Sequence, residues 1–219
     1  MSARAIFVTG TDTGVGKTHV AVALLHALVA RGVRAVGMKP VAAGIDADGT
    51  HADVVALRAA GNVDAPGDEV NPYCFAPAIA PHVAARLAAR PIELDVVAAR
   101  YRSLLARADA VVVEGAGGVL VPLGDADDVL DIPARLGLPV VLVVGVRLGC
   151  ISHALLSALA IRARGLTLAG WIANRIDPRM ERADDSVDAI AARLGRAPAC
   201  DLRFGATRID APALAALGL

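Results

Sequence analysis

The stretch Val8-Thr-Gly-Thr-Asp-Thr-Gly-Val-Gly-Lys-Thr18 holds the residue types and spacing best suited to chemistry. An apolar run over 5–8 leads into it, and a segment with apolar Val20, Ala23, Leu24, Ala27 and Leu28 leads away. Strand, glycine loop and helix in that order form the context in which such a loop binds phosphate. Gly10, Gly14 and Gly16 let successive backbone N–H groups face one anion, and the helix adds the positive end of its dipole. Lys17 is placed to reach the β- and γ-phosphates of a nucleotide, and the Thr18 hydroxyl to ligate Mg²⁺. One departure from the usual P-loop pattern stands out: Gly10 comes one residue early, and Thr11 fills its slot.

Four more residues fit the same chemistry. Glu114 closes the apolar run 109–113 and opens the glycine turn Gly115-Ala-Gly-Gly118. A carboxylate there can hold Mg²⁺ opposite Thr18. Lys39 follows the short apolar run 33–38 and precedes Pro40, and its ammonium would stabilise charge on a transferred phosphoryl group. Asn174 ends the run 168–173. Asp53, in His51-Ala-Asp53 at the start of a helix, serves the helix dipole as readily as it serves a second magnesium site. His51, His82 and His153 lack metal-binding spacing. Cys150, in Leu148-Gly-Cys-Ile-Ser-His153, reads as a small apolar residue because no acid–base partner stands nearby.

The elements that must position these residues alternate along the chain. Strands are expected over 5–8, 33–38, 109–114, 140–146 and 168–174, with an extension over 119–123 and a weaker strand over 199–202. Helices are expected after the P-loop and over 52–60, 81–89, 94–106, 131–136, 152–164 and 180–194, with a last one after Asp210. Ser152 is the expected N-cap of its helix. Residues 41–49 read as a loop, and 64–81, with four prolines, as a long surface excursion. This alternation predicts an α/β fold, a mostly parallel sheet with helices on both faces, P-loop NTPase-like, in one domain over 1–219. Ligands of such sheets sit at the carboxyl ends of the strands. The P-loop, Lys39, Glu114 and Asn174 should therefore share one rim.

Composition narrows the partners. Lys and Arg together number 22, as do Asp and Glu, so no general attraction to nucleic acid or an anionic membrane is expected. Aromatics make up 3% of the chain, which favours closely packed helices on a sheet over an aromatic binding groove. The three cysteines form no CxxC pair, so neither structural zinc nor a disulfide framework is expected, and a reducing cytoplasmic setting fits. No leader segment and no run of membrane-spanning length is read in the sequence.

Several stretches together carry a resemblance. They are the P-loop, Lys39-Pro-Val-Ala-Ala-Gly44, Asn71-Pro-Tyr73, Val113-Glu-Gly-Ala-Gly-Gly118, Val144-Gly-Val-Arg-Leu-Gly-Cys-Ile-Ser-His153 and Leu168-Ala-Gly-Trp-Ile-Ala-Asn174. In this order they resemble the dethiobiotin synthetase family over about residues 6–174. The resemblance implies an ATP-dependent ligase that closes a ureido ring on 7,8-diaminononanoate (DAPA) with CO₂ or bicarbonate. It implies Mg²⁺ as cofactor and a homodimer with its sites at the subunit interface. By motif position, Gly14, Val15, Gly16, Lys17, Thr18 and His19 correspond to the triphosphate cradle, and Thr18, Asp53 and Glu114 to magnesium ligands. Lys39 is similar to the family's active-site lysine, with Lys17 as the second catalytic cation. Gly115, Ala116 and Gly117 line the nucleotide, and Asn174, Arg175, Arg203, Phe204 and Gly205 border its base. Thr13, Lys39, Gly118, Cys150 and Ser152 border the diamine, with Leu148 to His153 serving the partner's pocket. Three positions depart from the family pattern: Ala43 where a hydroxyl residue is common, Gly14 where an acid is common, and Asp201-Leu-Arg-Phe-Gly205 where Ile-Pro is often found. ParA/MinD-like ATPases carry an extra lysine early in the loop, and Asp12 stands at that position here.

Overall fold

The computed structural model describes residues 4–47 and 49–219. The main sheet is built from β1 (Arg4–Gly10), β2 (Ala35–Met38), β5 (Ala110–Gly118), β6 (Val140–Gly145), β7 (Leu168–Asn174) and β8 (Cys200–Leu202). They lie in the order β2-β5-β1-β6-β7-β8, and every pairing is parallel. Parallel neighbours need crossover connections. Here these contain α1 (Lys17–Val29), α2 (Ala52–Ala60), α4 (Pro81–Leu87), α5 (Leu94–Leu105), α6 (Asp131–Leu136), α7 (Cys150–Ala163) and α8 (Ala183–Leu194), with α9 (Ala211–Ala216) ending the chain.

Strand alternation sends successive side chains to opposite faces, and both faces are apolar because both are covered. Phe7, Val111, Val113, Leu142, Val144 and Trp171 pack in one cluster with Leu104, Ile132, Ile161 and Ile190 of α5 to α8. Ile6, Val8, Val112, Val141, Val143 and Ile172 pack in the other with Leu24, Leu25 and Leu57 of α1 and α2 and Leu214 of α9. The expected layered α/β architecture is thus present.

Five local expectations are corrected. Residues 41–49 are not all loop: β3 (Val41–Ala43) pairs in parallel with β4 (Tyr73–Phe75) to make a second, two-stranded sheet. The excursion 64–81 therefore holds a strand, and also the short helix α3 (Gly67–Val70). The sequence hides this sheet because its strands are only three residues long, and burial of Val41, Ala42, Tyr73 and Phe75 in the core holds them. The strand over 119–123 is absent among the described residues; β5 instead runs through the glycine turn to Gly118, which pairs with Gly10 across an irregular register. Helix α7 begins at Cys150, with Gly149 as N-cap at φ 94°, so Ser152 lies inside the first turn and does not cap it. Helix α8 begins at Ala183, three residues later than the pattern predicts.

Candidate active site

The P-loop joins β1 to α1. Gly10 is the last residue of β1, and a Cβ there would lie 2.6 Å from Val15 Cγ2 and 2.9 Å from Lys17 Cγ. The early glycine is therefore needed for close packing beneath the loop. Gly16 caps α1 at φ 85°, and its Cβ would stand 2.2 Å from Asn174 Nδ2. Asn174, at the end of β7, is buried and donates from Nδ2 to the Val15 carbonyl at 2.9 Å. It thus braces the loop from below, on the side where α1 begins.

Lys17, Thr18, Lys39, Asp53 and Glu114 meet above these strand ends. Thr18 Oγ1 donates to Glu114 Oε1 at 2.8 Å, and Lys39 Nζ donates to Asp53 Oδ2 at 2.8 Å. Lys39 Nζ also contacts Glu114 Oε1 directly and stands 3.5 Å from the Gly115 carbonyl. Lys39 is 4% exposed and Glu114 0%, so this is a buried charge cluster and needs full pairing to be tolerated. Pairing is incomplete: Glu114 Oε2 is buried and finds no partner among the described residues.

The cluster sets its own protonation. Burial pulls the Lys39 ammonium down, but the Glu114 and Asp53 carboxylates outweigh it, and Lys39 lies above the ordinary lysine value. Burial pushes Asp53 up, and the Lys39 charge and hydrogen bond more than reverse it, so Asp53 lies below the carboxylate range. Glu114 lies above its ordinary value, because burial and the Asp53 charge exceed the pull of Lys39. Lys17 is lowered to about 8, first by burial and then by the charge of Lys39. Its ammonium rests on the Asp12 carbonyl at 2.9 Å.

Lys17 and Lys39 open into one cavity of about 820 Å³, shared with Thr13, Gly14, Asp53 and Glu114. The β3–β4 sheet supplies its far side through Val41, Ala42 and Ala43 and the residues 78–81 that follow β4. Ala116 and Gly117 line it too, whereas Gly118 pairs with Gly10 in the sheet. Gly115 packs on Phe7, where a Cβ would come within 2.8 Å of the ring.

The remaining expected residues sit around this centre. His19 Nε2 contacts the Ala206 carbonyl, which places Arg203, Phe204 and Gly205 beside the start of α1. Arg175 does not reach the cavity: its guanidinium binds Asp201 at 2.6 and 2.8 Å and also contacts Asp184. Cys150 is buried at the start of α7, while Ser152 is exposed. That start is tied to the P-loop by Arg147, which donates to Asp12 Oδ2 at 2.6 Å. Sequence reasoning gave Arg147 and Asp12 no chemical role, since their contact joins residues 135 apart in the chain.

A divalent ion fits the donor set. The oxygens of Thr18, Asp53 and Glu114 are hard ligands of the kind Mg²⁺ uses together with nucleotide phosphates, and Glu114 Oε2 is a buried lone-pair site left over. Among the described residues no cluster of three or more His, Cys, Asp or Glu forms an all-protein metal cage.

Fold and glycine loop together define a protein of the P-loop NTPase fold. The family model for the AAA domain matches residues 4–202. The chain is 56% identical over 196 residues to the ATP-dependent dethiobiotin synthetase BioD of Aromatoleum aromaticum, covering 87% of this chain and 86% of that one. It is 54% identical over 188 residues to the enzyme of the same name from Nitrosospira multiformis, covering 86% and 83%. The chain belongs to the dethiobiotin synthetase family, ATP-dependent ligases that form C–N bonds. Among solved structures it is similar to a ParA family ATPase from Chlorobium tepidum, with TM-score 0.56, 14% identity and coverage of 92% and 84%. It is also similar to the septum site-determining protein MinD from Pyrococcus horikoshii, with TM-score 0.53, 16% identity and coverage of 86% and 77%. These two share the fold. No helix among the described residues is long and apolar enough to cross a membrane.

Proposed function

We propose that this chain, acting as one domain over 1–219, makes dethiobiotin from DAPA, CO₂ and ATP in biotin synthesis. The observation that carries this reading is the pair Lys17 and Lys39, opening into one cavity beside Glu114 and the P-loop. One amine of DAPA takes up CO₂ as a carbamate and releases a proton. A carbamate oxygen then attacks the γ-phosphorus, giving a carbamic–phosphoric anhydride and ADP. The second amine attacks the carbamoyl carbon and expels phosphate, which closes the ring.

Carbamate and γ-phosphate are both anions, so their approach is the costly part of the sequence. Lys17, reaching over the P-loop, neutralises the β- and γ-phosphates. Lys39 faces the oxygens between donor and acceptor, where charge develops during transfer. Thr18, Asp53 and Glu114 would hold Mg²⁺, which supplies charge neutralisation at the phosphates. Thr13 and Ala43 both line the cavity, where they would border the diamine. Asn174 and the segment 203–205 lie where the base would rest, beyond the start of α1. Ala43 offers no hydroxyl, so the diamine is oriented by backbone and charge on that side.

A homodimer completes this reading. Leu148 (92% exposed), Leu156 (62%) and Leu159 (64%) leave an apolar face on and beside α7, next to Cys150 and Ser152. A second copy seated there would cover that face and bring its own α7 start to the diamine's carboxylate. A cytoplasmic setting suits an enzyme fed by ATP and bicarbonate.

The test is a reaction with purified protein, ATP, Mg²⁺, DAPA and ¹³C-bicarbonate, read by mass spectrometry. Dethiobiotin carrying one ¹³C, formed with one ADP, is expected. ATP turnover indifferent to the diamine would sink the proposal.

A further inference from the structure

We infer that Asn71 is the positioning residue that fixes where Lys39 stands, and this rests on the catalytic reading of Lys39 above. Lys39 follows the last residue of β2, and Pro40 after it has no N–H to donate. The Lys39 N–H donates to the Val70 carbonyl at 2.8 Å. The Lys39 carbonyl would otherwise face a gap, and Asn71 Nδ2 fills it, donating to that carbonyl at 2.6 Å and to the Tyr73 carbonyl at 3.1 Å. The Tyr73 N–H in turn donates to the Pro40 carbonyl at 3.2 Å. The peptide that carries the buried lysine is thus held almost entirely by residues 70–73.

The clamp is itself braced. Arg90 Nη2 donates to the Pro72 carbonyl at 2.7 Å, and its guanidinium lies 5.0 Å from the centre of the Tyr73 ring. The Tyr73 hydroxyl accepts from the Glu93 N–H at 3.0 Å. Both Asn71 side-chain hydrogen bonds go to backbone carbonyls, so its effect on chemistry passes through the backbone of Lys39.

The other end of β2 provides an internal control. Asn62 accepts from the Ala35 N–H at 2.8 Å through Oδ1 and donates from Nδ2 to the Val33 carbonyl at 3.1 Å. Both asparagines fasten the same strand by side chain-to-backbone bonds, but only Asn71 does so beside the reacting groups.

The experiment compares Asn71→Ala with Asn62→Ala. Asn71→Ala should lower kcat by about 10- to 100-fold with KM for ATP within about twofold, while Asn62→Ala leaves kcat near wild type at a similar loss of thermal stability. If Asn71→Ala does not fold, Asn71→Ser, whose hydroxyl can donate one of the two bonds, carries the same comparison. An unchanged kcat in the Asn71 variant, or an equal drop in both, overturns the inference. A second arm needs no turnover: in crystals of the Asn71 variant, Lys39 Nζ should have left Asp53 and Glu114, and contacts retained as in wild type overturn the inference. Wild-type protein that makes no dethiobiotin would count against the function alone, since the crystallographic arm still judges Asn71.

Discussion

Two clusters in this molecule have the same composition, one cation between two carboxylates, and differ most at one carboxylate, Glu114 at 0% exposure against Asp184 at 74%. Lys39 sits between Asp53 and Glu114 with side-chain exposures of 5% at the lysine, 35% at Asp53 and 0% at Glu114. Arg175 sits between Asp184 and Asp201, whose side chains are 74% and 30% exposed. In the outer cluster water solvates what the ion pairs leave over, and the arginine simply straps α8 to β8. In the inner one Lys39 and Glu114 are buried and only Asp53 reaches the cavity, the charges depend on each other, and one oxygen of Glu114 stays unmatched. An identical charge set is a fastening at the surface and a poised, incompletely satisfied site in the interior.

The contrast is broken or sharpened most strongly at Lys39. Lys39→Ala should cut turnover by about 10²–10³ while ATP still binds, read by steady-state kinetics beside calorimetric titration of nucleotide. Near-normal turnover would reduce Lys39 to the rank of Arg175. Glu114→Ala should destabilise the nucleotide-free fold by about 3 kcal/mol in urea unfolding, because it leaves a buried ammonium with one of its two carboxylate partners, Asp53. A loss no greater than that of a surface variant would remove the distinction between the clusters.

Lys17 gives a smaller effect of the opposite sign. Its ammonium titrates at about 8 in the folded protein against an ordinary 10.5. Between those values the unfolded chain binds the extra proton, so stability from this group rises with pH, and at pH 7 the charged lysine is a burden on the fold. Lys17→Met should therefore raise nucleotide-free stability at pH 7 by about 1–2 kcal/mol, after loss of the bond to the Asp12 carbonyl. That advantage should shrink as pH approaches 10, and the variant should lose stabilisation by ATP. A variant less stable than wild type at pH 7 would contradict it. The smallest effect is expected at Arg175→Ala, at most about 1 kcal/mol by thermal unfolding with kcat unchanged. A large loss of nucleotide affinity there would instead give Arg175 a place at the base.

What the sequence revealed follows from where each residue sits. The P-loop, Lys39 and Glu114 were legible because each closes or follows an apolar run, and a parallel sheet brings such ends to one rim. Asp53 was not decided by spacing, since a first-turn acid serves the helix dipole equally well; only the fold shows it against Lys39. The β3–β4 sheet was missed because three-residue strands leave no period to read, yet it walls the cavity. Ser152 is a good N-cap by type, but Gly149 takes the left-handed turn two residues before Ile151, and the helix starts there. Asn71 enters the sequence reading only within the Asn71-Pro-Tyr73 stretch, with no role of its own, and its reach to the Lys39 carbonyl exists only in three dimensions.

The resting place of Lys17 has one more consequence. It leans on a neutral carbonyl dipole, whereas Lys39 is gripped by full negative charges. Detaching an ammonium from a peptide oxygen is much the easier of the two separations. An arriving triphosphate would therefore meet one cation that can be recruited at once and another already committed, so that an order of engagement is written into the resting contacts of the two lysines.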